Sequence, residues 1–315
     1  MRKENVKIPK EEENVSEAKM EGVTQTFQIK TRDRKYIGFE DTEAETQWQG
    51  AFTFIQAADT QLGLQEKYIE KKTNPGWEKE VKWCTQMVTK VNKMNPAPKF
   101  LVICGDLIDA YPYERNGDEK ETRQHQENDL KMVLSELQIP LVCVCGNHDV
   151  GDTPTAKTIL KYQSSFGDDY FSFWCGGAYF LALNSQFWQD RREVETLARA
   201  QDEWLEAQLL YIEQHKPRHS IILQHIPPFI DTIDEPSQYF NLPSYIRQEM
   251  LDRFITAGVR YVFCGHYHRN AGGVYNGLEV IVTSAVGAQL GTDVNGYRVV
   301  NVMEDKVVHC YHGVE

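Results

Sequence analysis

Six side chains that could bind metal ions follow five short apolar segments of the sequence. The clearest case is residues 100–109, FLVICGDLID, in which an apolar run of the kind found in buried strands gives way to Gly105 and Asp106. An unpaired buried carboxylate would cost far more free energy than the fold could return, so Asp106 needs a cation. The full set is Asp59, Asp106, Asn147, His225, His266 and His268.

These six side chains combine carboxylate and amide oxygens with imidazole nitrogens and include no thiolate. Such a mixture of ligand atoms suits Mn, Mg, Fe or Zn, and the set contains more protein ligands than a single ion needs. A carboxylate such as Asp106 can bridge two ions about 3.5 to 4 Å apart, a spacing that orients a phosphate group and activates a water for in-line attack. The sequence therefore predicts phosphoester hydrolysis at a two-metal site.

A second pair of residues is available for acid–base chemistry. His148 directly follows Asn147, and Asp109 lies shortly after Asp106. An imidazole that is oriented by a carboxylate can stabilise a transition state or protonate a leaving alkoxide. We therefore predict that His148 and Asp109 are catalytic residues.

Each of these motifs is ambiguous when it is taken alone. A Gly-Asp after a strand is commonly a turn, and Gly-Asn-His-Asp at 146–149 could be a β-turn in which Asn and Asp bond to their own backbone. The order of the motifs and their position directly after predicted strands favour the metal site over these alternatives.

Five predicted strands must position these residues. They cover residues 53–58, 100–104, 141–145, 221–224 and 261–264. Because the sites of open α/β sheets lie at the carboxyl ends of the strands, we expect the residues that follow these strands to converge.

Predicted helices alternate with the first three strands, which is typical of parallel α/β packing. They cover residues 76–94, 155–166, 197–215 and 243–257. Another predicted helix follows a polar insert at 111–128 and ends near residue 137.

The remaining β-forming segments predict a hairpin at 170–174 and 179–183 and a second sheet from residues 278–284, 297–303 and 306–311. The predicted fold class is α/β (α+β), with two stacked mixed β-sheets and helices outside them.

The chain has 315 residues, which would allow two domains of roughly 150 residues each. Because the predicted ligands extend from Asp59 to His268, we predict one catalytic domain over residues 46–315. Residues 1–45 contain few large apolar side chains and are predicted to form a flexible arm that is dispensable for chemistry.

Composition restricts the partners. A net charge of -12 argues against a nucleic-acid surface. The N-terminal residues contain no apolar signal segment, and no run of about 18 apolar residues occurs, so neither a membrane nor secretion is predicted and the cytoplasm is expected. The count of seven cysteines is odd, and those within predicted strands are expected to be reduced core residues.

Four motifs resemble those of the calcineurin-like metallophosphoesterases. They are GDLID at 105–109, GNHD at 146–149, QHIPP at 224–228 and GHYH at 265–268. They occur in this order after the predicted strand at 53–58, which leads to Asp59. The resemblance covers about residue 50 to the C-terminus. It implies a four-layer sandwich, two bridged divalent metal ions (Mn, Mg, Fe or Zn) and a metal-activated water.

The resemblance also implies a ligand set for each ion. The first ion would take Asp59, Gln61, Asp106 and His268, and the second would take Asp106, Asn147, His225 and His266. His148 would be the catalytic imidazole, held by Asp109. Gln61 departs from the family, which usually has histidine there, and an amide oxygen binds first-row transition metals more weakly than imidazole. The alternative is that Gln61 turns away and water completes the shell.

The function that the resemblance implies is a metal-dependent phosphoric monoester hydrolase, a serine/threonine phosphoprotein phosphatase that releases inorganic phosphate. The oligomeric state is left open by the sequence, and a monomer is expected. A phosphodiesterase or nucleotide hydrolase on the same fold is the first alternative. The second is a metal-site scaffold that binds partners without turnover. The presence of Asp59, Asn147, His148 and Asp109 argues against the scaffold.

Overall fold

A computed structural model describes residues 26–112 and 119–315. The strands in this part of the chain are β1 (Thr31–Arg32), β2 (Lys35–Tyr36), β3 (Phe52–Ala57), β4 (Leu101–Cys104), β5 (Leu141–Val144), β6 (Phe171–Cys175), β7 (Ala178–Ala182), β8 (His219–Leu223), β9 (Tyr261–Cys264), β10 (Ala271–Tyr275), β11 (Leu278–Val282), β12 (Gly296–Val302) and β13 (Val307–Gly313). The α-helices are α1 (Glu78–Asn92), α2 (Glu119–Ser135), α3 (Asn147–Val150), α4 (Ala156–Phe166), α5 (Gln186–Gln189), α6 (Glu195–His215) and α7 (Ser244–Ala257).

The strands form two mixed sheets, as the sequence predicts. The smaller sheet has the order β13-β12-β3-β4-β5, in which β3, β4 and β5 are parallel and β12 and β13 are antiparallel additions. The larger sheet has the order β1-β2-β6-β7-β8-β9-β11-β10, with parallel pairing from β7 through β11. The expected hairpin is present as β6 and β7.

Aromatic side chains fill the space between the two sheets. Phe54 and Phe100 of the smaller sheet stack with ring centroids 4.9 Å apart, and Phe173 and Phe180 of the larger sheet do the same. The two pairs meet edge to face, since the Phe100 and Phe180 centroids are 5.2 Å apart at 86°. Parallel sheets are buried on both faces, which is why the strand segments read as continuous apolar runs.

Helices cover the outer face of each sheet and complete four layers. Helices α1, α2 and α4 pack on the smaller sheet, and α6 and α7 cover the larger one. Helix α7 ends at Gly258, whose φ of 109° suits a left-handed C-terminal cap. Cys143 and Cys145 face the helices as core residues, in keeping with the role expected for cysteines of the predicted strands.

Two predictions for the elements are wrong in detail. The polar insert placed at 111–128 ends early, because α2 begins at Glu119 and buries the polar side chains of Arg123 and Gln126. The three C-terminal strands do not form one sheet, because β11 pairs with β9 while β12 pairs with β3.

No described helix is long and apolar enough to span a bilayer.

The N-terminal boundary at residue 45 is also corrected. Strand β2 pairs with β6, and Tyr36 of β2 is 4% exposed and packs between the sheets. Arg34 donates to the carboxylate of Asp169 at 2.7 Å and lies over the ring of Tyr170. Residues 26–45 therefore belong to the folded domain, and residues 1–25 lie outside the described residues.

Tyr36 tests this correction. Tyr36→Ala removes a ring packed against Phe39, Phe171 and Phe173 and should lower the free energy of unfolding by about 3–5 kcal/mol. Tyr36→Phe removes only the hydroxyl that donates to the Leu141 carbonyl at 2.8 Å and should cost about 1 kcal/mol. Urea denaturation measures both variants. Small, equal losses would show that residues 26–45 do not pack on the sheet.

Candidate metal centre

The carboxyl ends of strands from both sheets meet at one edge of the sandwich. Strands β3, β4 and β5 of the smaller sheet lead to Asp59, Asp106 and Asn147, and β8 and β9 of the larger sheet lead to the histidines. The structure thus brings together all six side chains that the strand endings indicated. Each is buried, with an exposure of 3% or less: Asp59, Asp106, Asn147, His225, His266 and His268.

Two triads of potential ligands share one carboxylate. Asp106 groups with His225 and His266, and it also groups with Asp59 and His268; within each triad the potential ligand atoms lie within 4.8 Å of one another. The His225 Nε2 atom is 3.2 Å from Asp106 Oδ2, and the His268 Nε2 atom is 3.4 Å from Asp59 Oδ1. Asp106 therefore has the position that a bridging ligand requires.

Left-handed backbone conformations turn these side chains into the site. Asp59, Asp106, His266 and His268 have φ values of 53°, 51°, 69° and 51°. Such a conformation costs a residue other than glycine about 1 kcal/mol or more, so the surroundings must hold it. Part of that support comes from the ligands themselves, because the His266 N–H donates to the Asp59 carboxylate at 3.0 Å and the His148 N–H donates to Asp106 at 2.9 Å.

Backbone carbonyls orient the three imidazoles of the triads. A carbonyl oxygen only accepts hydrogen bonds, so the ring nitrogen beside it must carry the hydrogen, and in the neutral imidazole the opposite nitrogen has the lone pair. The pairs are His225 Nδ1 with Cys104 O at 2.8 Å, His268 Nδ1 with Ala288 O at 2.6 Å and His266 Nε2 with Tyr239 O at 2.9 Å.

The pKa values of the buried site residues shift in different directions. Burial lowers the pKa of His266 to about 3 and that of His268 to about 4, so both imidazoles are neutral. Burial would also raise the pKa of Asp106, but the nearby imidazoles, His225 first among them, hold it below its ordinary value. Burial and the nearby Asp106 charge raise the pKa of Asp59. A divalent cation between the carboxylates would remove this repulsion and favour their ionised forms.

The amide of Asn147 is oriented with its oxygen toward the triads. Its nitrogen lies 3.0 Å from Asp152 Oδ1, 3.0 Å from Tyr239 Oη and 3.2 Å from Tyr111 Oη. Its oxygen lies 3.2 Å from His225 Nε2. This is the orientation that a metal ligand needs, because an amide coordinates cations through oxygen.

Gln61 also lies in the site, although it belongs to neither triad. Its Nε2 atom is 3.0 Å from His148 Nε2 and 3.3 Å from Asp109 Oδ1. Its Oε1 atom is buried and has no hydrogen-bond partner among the described residues. A buried acceptor without a partner is costly, and a cation would satisfy it. The unpartnered Gln61 oxygen, the oriented Asn147 oxygen and the two triads together fit two divalent metal ions.

Asp109 orients His148 by a route different from the expected one. The His148 Nδ1 atom lies 2.6 Å from the backbone carbonyl of Asp109 and 3.6 Å from its carboxylate. The carboxylate instead pairs with Lys67 Nζ at 3.1 Å and accepts from Gln61. The ring of Tyr111 packs on the imidazole, with centroids 4.2 Å apart. The carbonyl fixes the hydrogen on Nδ1, so Nε2 is the atom that faces the cavity, where it accepts from the Gln61 amide at 3.0 Å.

Sequence reasoning missed two residues that hold the site together. Arg123 of α2 is fully buried and donates to the carbonyls of Ala110 at 2.6 Å and His148 at 2.9 Å, which joins the loops after β4 and β5. Tyr239 contacts both Asn147 and His266. Neither residue carries a local signal, because each acts through contacts with chain segments distant in sequence.

A cavity of about 270 Å³ opens above the triads. Its floor includes Asp106, His148, His266 and His268, and its walls are largely aromatic: Tyr68, Tyr111, Tyr239 and Phe240. A phosphate group placed against the floor would therefore leave the rest of its ester against tyrosine and phenylalanine rings.

Known proteins resemble this chain in sequence and in fold. Residues 52–270 match the family model described as calcineurin-like phosphoesterase. The chain is 48% identical over 279 residues to serine/threonine-protein phosphatase CPPED1 of Rattus norvegicus, which covers 87% of this chain and 88% of the rat protein. It is 47% identical over 292 residues to the Homo sapiens protein of the same name, which covers 91% of each chain.

A solved dimetal phosphatase from Danio rerio has the same fold. It superposes with a TM-score of 0.59 over 85% of this chain and 98% of its own, at 16% sequence identity. That similarity concerns the arrangement of sheets and helices.

Proposed function

This chain belongs to the calcineurin-like phosphoesterase family, and from that membership we propose that it is a metal-dependent serine/threonine phosphoprotein phosphatase. One observation carries the proposal: two buried His/Asp triads share Asp106, and their members Asp106, His266 and His268 line a cavity that His148 also lines. The named relatives, which are serine/threonine-protein phosphatases, support the choice of substrate.

The residues divide into two ligand sets and a catalytic pair. We assign Asp59, Gln61, Asp106 and His268 to the first ion and Asp106, Asn147, His225 and His266 to the second. When bound, two divalent ions of Mn, Mg, Fe or Zn would supply Lewis acidity and an activated water for attack on phosphorus.

His148 acts on the leaving group in this assignment. Its Nδ1 hydrogen is committed to the Asp109 carbonyl at 2.6 Å, so the acid must be the imidazolium, which carries a second proton on Nε2. The leaving alkoxide would take that proton from Nε2 in place of the Gln61 amide contact. Lys67 neutralises the Asp109 carboxylate beside the ring, and Tyr111 restricts the ring from one face. These contacts hold the imidazole in one orientation, which is the requirement for a positioned acid.

The test of the function is an assay with single metals. Chelated protein is supplied with Mn, Mg, Zn or Fe separately and offered phosphoserine and phosphothreonine peptides, a simple phosphomonoester and a phosphodiester. Metal-dependent release of inorganic phosphate from the peptides is expected. Faster cleavage of the diester or of a nucleotide would assign the chain to another activity of the same fold. Metal binding without turnover of any substrate would indicate a scaffold.

Gln61 gives a separate prediction about the first ion. If its unpartnered Oε1 atom is a ligand, Gln61→His should tighten the first site and favour Zn or Fe, because nitrogen holds first-row transition metals better than an amide oxygen. Gln61→Ala should weaken it. Metal titration of the chelated proteins measures the order of affinities. Indistinguishable affinities in wild type, Gln61→His and Gln61→Ala would exclude Gln61 as a ligand.

We further propose the cytoplasm as the compartment of this protein. Six of its seven cysteines are buried free thiols, and they pack as core residues, an arrangement that a reducing compartment preserves. Cell fractionation tests this proposal, and recovery from the secreted or membrane fraction would contradict it.

A further inference from the structure

Tyr239 contacts two proposed ligands of the second metal ion through different atoms. Its hydroxyl oxygen is 3.0 Å from Asn147 Nδ2, and its backbone carbonyl accepts from His266 Nε2 at 2.9 Å. Its ring also packs on the His266 ring, with centroids 5.0 Å apart. One residue on the loop between β8 and α7 thus touches ligands from both sheets.

The hydroxyl contact, together with those of Asp152 and Tyr111, sets which end of the Asn147 amide faces the second site. The Tyr239 hydroxyl can donate a hydrogen bond to the Asp152 carboxylate, 3.5 Å away, and accept a hydrogen bond from the Asn147 amide nitrogen. Rotation of the amide by 180° would present an N–H group to the ion, which cannot coordinate it, and would set the amide oxygen against the Asp152 carboxylate. The hydrogen-bond acceptors around the Asn147 amide nitrogen therefore favour the orientation in which the amide oxygen can bind metal.

The loop that carries Tyr239 is anchored from behind. Arg247 of α7 is fully buried and donates to the carbonyls of Leu242 at 2.8 Å and Ile233 at 3.2 Å. The Glu235 carboxylate accepts from the N–H groups of Ile230 and Asp231, each at 2.8 Å. These bonds fix the loop, so Tyr239 keeps its place although its side chain is 53% exposed at the mouth of the cavity.

We propose that Tyr239 is a positioning residue of the second metal site. It orients Asn147 through its hydroxyl and His266 through its carbonyl, and this orientation raises the affinity for the second ion. The inference rests on the ligand assignment of the proposed function and does not depend on which phosphoester the protein hydrolyses. Groups that orient metal ligands typically contribute 10- to 100-fold in metal affinity.

The first test is a Mn²⁺ titration of the chelated full-length protein by calorimetry. Tyr239→Phe keeps the ring and the carbonyl and removes the hydroxyl, so it should weaken the second Mn²⁺ by about tenfold and leave the first unchanged. The melting temperature of the metal-free protein should stay the same, which separates positioning from a general loss of structure. Tyr245→Phe is the matched control, because Tyr245 is 82% exposed on α7 and outside the site.

A double-mutant cycle with Asn147 shows through which ligand the hydroxyl acts. In Asn147→Asp the side chain offers oxygen in either orientation, so Tyr239→Phe should then cost at most about twofold. Equal losses in both backgrounds, or no loss in the wild-type background, would overturn the proposal. These affinities are measured without substrate. A protein that binds two ions as expected but hydrolyses nothing would refute the phosphatase assignment and leave the role of Tyr239 in place.

Discussion

Asp106→Asn is expected to abolish turnover and to lower the content of both metal ions together. Asp106 is the residue common to the two triads, and it is 2% exposed. The substitution removes a negative charge and one of the two oxygens, so a single amide oxygen would have to serve both ions. Because the proposed reaction would need both ions, loss of either one should remove activity. Metal analysis of the purified variant and phosphate release from a phosphopeptide measure the two effects.

Asp169→Asn is the matched control for this substitution. Asp169 is also 2% exposed, and its carboxylate binds Arg34 and Gln163 away from the triads. This variant should be less stable but should keep its two metal ions, because the same chemical change is made outside the site. If Asp106→Asn instead keeps normal metal content and loses only activity, Asp106 does not bridge the ions.

The convergence of the two triads could be predicted from sequence because the physics that places their residues is local. An apolar strand segment followed by Gly105 and Asp106 carries its own signal, and parallel strands bring such endings to a common edge. The same reasoning could not find Arg123 or Tyr239. Each works through hydrogen bonds to loops that lie far away in sequence, and neither hydrophobic period nor turn chemistry records such contacts.

The errors in the elements have the same physical origin. The start of α2 reads as polar loop because Arg123 and Gln126, which point inward, are charged or polar. Backbone groups of the site satisfy them, and Arg123 also pairs with Glu127 of the same helix at 3.0 Å. Residues 26–45 read as an arm because their contribution to the core is a few aromatic side chains, such as Tyr36, that bind partners in the larger sheet. Hydropathy averaged over a segment hides both cases.

His148→Gln is expected to lower kcat by roughly 10² to 10⁴ while the metal content stays unchanged, which is the range for a positioned acid or base. The imidazole belongs to neither triad, and its Nε2 atom faces Gln61 at the floor of the cavity. Gln offers a hydrogen bond in this region but no proton of suitable acidity. The deficit should therefore be large for phosphoserine, whose alkoxide needs protonation, and small for an aryl phosphate with a good leaving group.

His219→Gln is the control for a buried histidine outside the site. His219 is 9% exposed, and its Nε2 atom binds the Met303 carbonyl at 2.7 Å. This variant should lose stability without a change in kcat or in leaving-group dependence. For His148→Gln, loss of bound metal would mean that the imidazole serves as a ligand. An equal deficit for alkyl and aryl phosphates would mean that it stabilises the transition state by charge and does not donate the proton, because proton donation is the role that depends on the basicity of the leaving group.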